Sequence, residues 1–258
     1  MSNYVLFQMW KPFRQSLIKE HSFYVEQARK RLLSQFSDIE AEADRAAEEW
    51  LAQHSQKFNP ECDDVGDFYE WANSVQIEFY GLLEEMREQT RLSVVAGMFH
   101  TWDKKLRDWL VREIHHWHRG NNATAKLWSA DFTQIVELLE GFGWNIRTSN
   151  YFPTLDACRL VVNVYKHGDG KSLDALRDHF PEYLDDPFKG MGCLFSDTKL
   201  RDHTHLKVSD DQFQAFSDAI LEFWRNVPEN TSESQLTVFP DWFEKAILKD
   251  EAELQQKG

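Results

Sequence analysis

A chain of 258 residues with 42% hydrophobic and 28% charged side chains can bury a sizeable core, in one domain or two. Its 11 Gly and 7 Pro leave long stretches free of turn formers, and no apolar run reaches the length of a membrane span. A net charge of −14 excludes a general nucleic-acid binder, whose affinity rests on cations placed at phosphates.

The first twelve residues are apolar and aromatic, lack the basic flank and cleavage site of a secretory signal, and read as a short strand or turn packed on the body. From Phe13 to Lys57 apolar residues recur at helical spacing (Leu17, Tyr24, Ala28, Leu32, Phe36), and the half from Asp38 to Gln53 is rich in Ala and Glu. This is an exposed helix or helical hairpin suited to packing or dimerisation. Its polar face is of mixed charge, unlike the basic face of a membrane-surface helix. Asn59-Pro60 breaks the chain. A second helical run, Phe68 to His118, is expected to divide between Gln89 and Gly97, with Val95, Phe99, Trp102, Leu106 and Ile114 on one face of its second part. The loop RGNNATA at 119–125 ends it. A helix from Ser129 to Glu140 follows, closed by Gly141-Phe142-Gly143.

The stretch from Pro153 to Ser172 organises the rest. Pro153 suits a first helical turn and Gly168 a helix end. On a helix the apolar residues between them cover roughly three quarters of the circumference, while Asp156, Arg159, Asn163, Lys166 and His167 share an arc of about 100°. Arg159, Asn163 and His167, at i, i+4 and i+8, form one line. Ser172 is the expected N-cap of the next helix. Residues 181–208 are irregular, with a short strand at Leu206 and Val208. Ser209 and Gln212 form a capping box that opens another helix, and a last helix begins near Pro240. The expected fold is all-α with little or no β-sheet, divided into an N-terminal extension at 1–60, a bundle at 61–230 and a C-terminal helix at 231–258.

Charge is uneven. Residues 61–90 hold nine acids and one base, whereas residues 91–126 hold seven bases and three acids. The second segment is the one stretch able to offer a local basic surface, so nucleic-acid contact is expected to be local and salt-sensitive. Cys62, Cys158 and Cys193 are odd in number, without metal-ligand spacing, and suit a reducing cytoplasm.

Several motifs fail on context. GDGKS at 168–172 lacks the first glycine and the preceding strand of a phosphate loop. NVYKH at 163–167 has the asparagine-bearing pattern of histidine-kinase-type ATPases but not their glycine-rich lid. His115, His116 and His118 read as a cationic helix end, and His203 and His205 as surface loop residues. The stripe on the central helix is either the wet edge of a buried helix or a site. As a site, His167 at the helix C-terminus would be the acid/base, oriented by Asp169. Arg159 and Lys166 would stabilise phosphoryl charge, with Asn163 as a positioning group and no metal or cofactor needed.

The order of elements, with REQTRLSVVAGMFHTWDKKLRDWLV, then FTQIVELLEGFGWNI, then CRLVVNVYKHGDG, resembles the HEPN-domain (higher eukaryotes and prokaryotes nucleotide-binding) proteins over roughly residues 64–180. The resemblance implies an antiparallel helical bundle, a homodimer and a place in bacterial toxin–antitoxin or phage-defence systems beside an antitoxin or defence partner. It also implies metal-independent endoribonuclease activity at an RNxxxH run. Asn163 and His167 match that run. Val162 stands where the family has Arg, and Arg159, one turn earlier, would replace it. Three functions follow: an endoribonuclease effector, a non-catalytic module binding RNA, nucleotide or a partner protein, or a structural dimerisation protein.

Overall fold

The computed structural model describes residues 4–59, 61–186 and 198–256. The fold is all-α apart from one two-stranded sheet. In chain order the elements are β1 (Val5–Gln8), α1 (Lys11–Arg31), α2 (Ile39–His54), α3 (Val65–Ile114), α4 (Asn121–Ser129), α5 (Phe132–Gly141), α6 (Phe152–His167), α7 (Lys171–His179), α8 (Asp210–Asn226), β2 (Asn230–Ser232) and α9 (Asp241–Gln255). β1 pairs antiparallel with β2, Phe7 opposite Thr231. Among the described residues no helix is long and apolar enough to cross a membrane. Cys193 and part of the irregular stretch at 181–208 lie outside the described residues.

The chain separates into two compact units, one made of the residues up to Tyr24 and from Val95 onward, the other Val25–Val94. In the first, α6 packs on α7 and α8, and α4 packs on α9. Phe213, Phe216, Ile220 and Phe223 of α8 are fully buried there, as are Leu155, Cys158 and Val161 of α6. Burial on this scale stabilises each side chain by about 1.5–3 kcal/mol. In the second unit, the Trp50 ring of α2 packs at 5.2 Å, tilted by 49°, against Phe68 of α3, and Gln76 of α3 hydrogen-bonds Asp44 of α2.

Local signals set several boundaries as expected. Ser209 Oγ accepts from the Gln212 N–H at 3.1 Å while Gln212 Oε1 accepts from the Ser209 N–H at 2.8 Å, so the capping box opens α8. Gly168 ends α6 at φ 70°, a left-handed conformation that a side chain would strain. Other boundaries differ. Ser172 lies inside the first turn of α7, and Gly170 is the N-cap. α3 runs unbroken through Gly97, because a Cβ there would collide with the Tyr24 hydroxyl: this glycine serves close packing and does not break the helix. The expected strand at Leu206 is a single bridge to Leu184.

The largest departure is α4, which starts inside the stretch read as a loop. Its N-terminal N–H groups are satisfied from a distance: Asp250 of α9 accepts from Asn122 N at 2.8 Å and Ala123 N at 2.9 Å. His118 Nε2 donates to the same carboxylate at 2.9 Å, and a Cβ on Gly120 would collide with it. Asp250 is 3% exposed. Burial pushes its carboxyl up, but the hydrogen bonds from His118, Ala123 and Asn122 outweigh that and hold it down at about 2.

Asp250→Ala strips this cap and leaves buried donors unpaired, so a loss of about 2–4 kcal/mol is expected in urea unfolding. Because the folded carboxyl lies below its unfolded value of about 4, the ionised form stabilises the fold above that pH. The advantage of wild type over Asp250→Asn should therefore shrink by about 2 kcal/mol as pH falls from about 5 to about 2.

Candidate functional site

α6 buries Leu155, Ala157, Cys158, Leu160, Val161, Val162 and Val164, which leaves its polar residues one edge. Along that edge Asp156, Arg159 and Asn163 are half-buried, and Lys166 and His167 are exposed at the C-terminal turn. Arg159 Nε donates to Asp156 Oδ1 at 2.7 Å, one turn towards the helix N-terminus, and its guanidinium lies 5.6 Å from the Phe132 ring centroid. His167 is eight residues further on, about 12 Å along the axis at 1.5 Å per residue. The ion pair draws Arg159 away from His167. Val162, at the motif's arginine position, is 1% exposed and belongs to the core. The structure thus brings Lys166 and His167 to one end of α6 and holds Arg159 at the other, with Asn163 between.

Asp169 does not serve His167. Its Oδ1 accepts from His203 Nδ1 at 2.9 Å and from the His203 N–H at 3.2 Å. These bonds, the side-chain one first, hold the Asp169 carboxyl below the usual carboxylate range. A carboxylate on Nδ1 leaves Nε2 of a neutral His203 as a free acceptor. A Cβ built on Gly168 would touch the His203 ring at 3.7 Å, so this imidazole lies against the glycine that ends α6. On the other side, Lys166 faces His100 of α3. Burial and then the Lys166 ammonium push the His100 imidazole down, against Asp103, which raises it.

His100 and His203 escape a reading of the sequence because neither shares an element with α6. Asp169 and His203 are 34 positions apart with no local pattern linking them. The one available hint is periodic: His100 and Lys104 fall four residues apart on the polar face of α3.

The basic segment does not form a continuous surface. Arg107 is buried, donating to the carbonyls of Leu127 at 2.7 Å and Ala130 at 2.8 Å and pairing with Asp103 at 2.8 Å. Lys105 pairs with Glu20 at 2.9 Å, Arg91 with Glu88 at 2.8 Å and Arg112 with Glu113 at 3.2 Å. Lys126 lines a groove of about 1100 Å³ between α4 and α9, with Lys245, Lys249 and Trp242, and none of the α6 stripe reaches it. Among the described residues no cluster of three or more His, Cys, Asp or Glu side chains is arranged to hold a metal ion. His118 and His115 of the HHWH run are taken up by Asp250 and by Thr124 at 3.2 Å.

Comparison with protein-family models, curated proteins and solved structures returns no match.

The Asp169–His203 pair has a direct spectroscopic signature. In carbon-detected NMR the Asp169 carboxyl should titrate below the ordinary aspartate range, and in His203→Ala it should return to that range.

Proposed function

We propose that this chain is a HEPN-like helical protein that binds RNA through its backbone phosphates at the C-terminal turn of α6, without an Arg–His pair to cleave it. Lys166 supplies an exposed cation and His167 an exposed imidazole donor, and Asn163 supplies a neutral hydrogen-bonding group behind them. The observation that carries the reading is the side-chain arrangement of α6. Val162 is in the core, and Arg159 is held by Asp156 about a dozen ångströms from His167, so neither the motif position nor Arg159 sets a guanidinium beside the imidazole to stabilise a phosphorane. On the same reading the protein is a homodimer of the bacterial cytoplasm, acting beside an antitoxin or another defence partner.

One observation favours a second reading, metal-independent endoribonuclease activity. The Asp169–His203 pair is an oriented imidazole against Gly168, the residue after His167, and two imidazoles can act as acid and base on a phosphodiester.

A labelled single-stranded RNA incubated with protein and chelator distinguishes the two. Retardation without cleavage is expected. Lys166→Glu combined with His167→Ala should weaken binding by about tenfold, and binding should fall steeply with salt. Absence of binding at low salt refutes the proposal. Chelator-resistant cleavage, lost in His167→Ala or His203→Ala, refutes it in favour of the nuclease.

A further inference from the structure

Within the unit Val25–Val94, an apolar line on α3 is exposed among the described residues. On α3, Trp71 is 66% exposed, Leu82 58% and Met86 59%, with Phe79 at 37% and Val75 half-buried between them. At 100° per residue these five fall within about 80°, and they extend for about 22 Å along the helix. Glu78 and Glu85 border the line on one side. On the other side α3 turns towards α2, where Gln76 hydrogen-bonds Asp44. Scattered exposed apolar residues are ordinary, but a continuous line at helical spacing is the pattern by which one helix receives another.

Charge selects the occupant. The unit holds seven bases against sixteen acids, a net charge of −9 out of −14 for the whole chain. In residues 61–90 the single base, Arg87, is tied to Glu84 and lies 3.6 Å from Glu88. A second copy would set −9 against −9, and phosphate-rich surfaces would be repelled as well. A helix with an apolar face and lysines or arginines along its borders satisfies both features. The end of the line at Trp71 adds a cleft of about 360 Å³ with Trp50 and Phe68 in its wall and Asp63, Asp64 and Asp67 around it. Such a cleft accepts the aliphatic stem of a basic side chain and neutralises its head.

We infer that this face of α3 is the docking surface for a basic amphipathic helix of a partner protein. The inference stands whether or not the α6 turn binds RNA.

The probe is a fluorescein-labelled helical peptide with leucines on one face and lysines on its borders, titrated with the full chain and read by anisotropy. Micromolar binding is expected. Leu82→Glu with Met86→Glu should weaken it more than tenfold, Trp71→Ala should weaken it severalfold, and raising salt from about 50 mM to about 500 mM should weaken it further. The substituted positions are exposed, and an unchanged thermal melt confirms that the fold is intact. RNA retardation by the double variant should equal that of wild type. The inference is overturned if the peptide does not bind, if the double variant binds it equally, or if a glutamate-for-lysine peptide or polylysine binds as well. It is also overturned if light scattering shows an oligomer that the double variant dissociates, because a second copy then covers the line.

Discussion

Burial of α6 on most of its circumference is the constraint from which the rest of the candidate site follows. A helix that places Leu155, Cys158 and Val161 in contact with neighbours on several sides has one edge left for polar groups. Position 162 cannot be on that edge while 161 and 164 are buried and 163 is half-exposed, since successive residues are turned by about 100°. An arginine there would have to place its guanidinium inside the packed interior, at a desolvation cost of several kcal/mol. Valine at that position is therefore part of how this bundle closes. Arg159, which does lie on the edge, meets a carboxylate one turn back and an aromatic face, and both hold it at the N-terminal side.

Positive charge in this protein is largely spent on its own architecture. Arg107 gathers the carbonyls at the end of α4, which a helix otherwise leaves unpaired. Asp250 performs the complementary task at the other end of α4 by accepting its first N–H groups. The short helix α4 is thus pinned at both termini by buried ionic side chains from other elements. That explains how nine residues with little propensity advantage stay helical. It also bears on why this run of bases does not become a continuous basic surface: Arg107 is buried, with its guanidinium turned to internal acceptors.

What could be read in the sequence is what depends on near neighbours. The bounds of α6 came from proline and glycine at its ends and from an apolar period between them. The opening of α8 came from Ser209 and Gln212, three residues apart. The expected all-α class rested on the same periodicity. What could not be read depends on partners far along the chain. Asp250 acts on Asn122 from 128 positions away, so RGNNATA looked like a loop. Asp169 lies two residues from His167, yet it turns to His203, because the 3₁₀ turn at His203–His205 delivers both a ring N–H and a backbone N–H to it. Gly97 looked like a break for the same reason: its smallness answers Tyr24, which is remote in sequence.

The distribution of charge adds a distinction that the total conceals. With −9 in residues 25–94, the remaining 188 residues carry −5, from twenty-two bases and twenty-seven acids. A site for an anion is therefore plausible chemistry in the unit that contains α6, where a few exposed cations need overcome only a weak mean field. The same site in Val25–Val94 would work against a field of sixteen carboxylates, which salt screens but does not reverse. The acidic unit shows a line of apolar side chains on α3, while in the α6 unit Trp102 is buried edge-on against Phe223 at 5.0 Å. Apolar exposure and like charge on one helix are each costly to leave unmatched. The first drives association, and the second prevents that association from being with itself. Together they favour partners of opposite sign for the acidic unit.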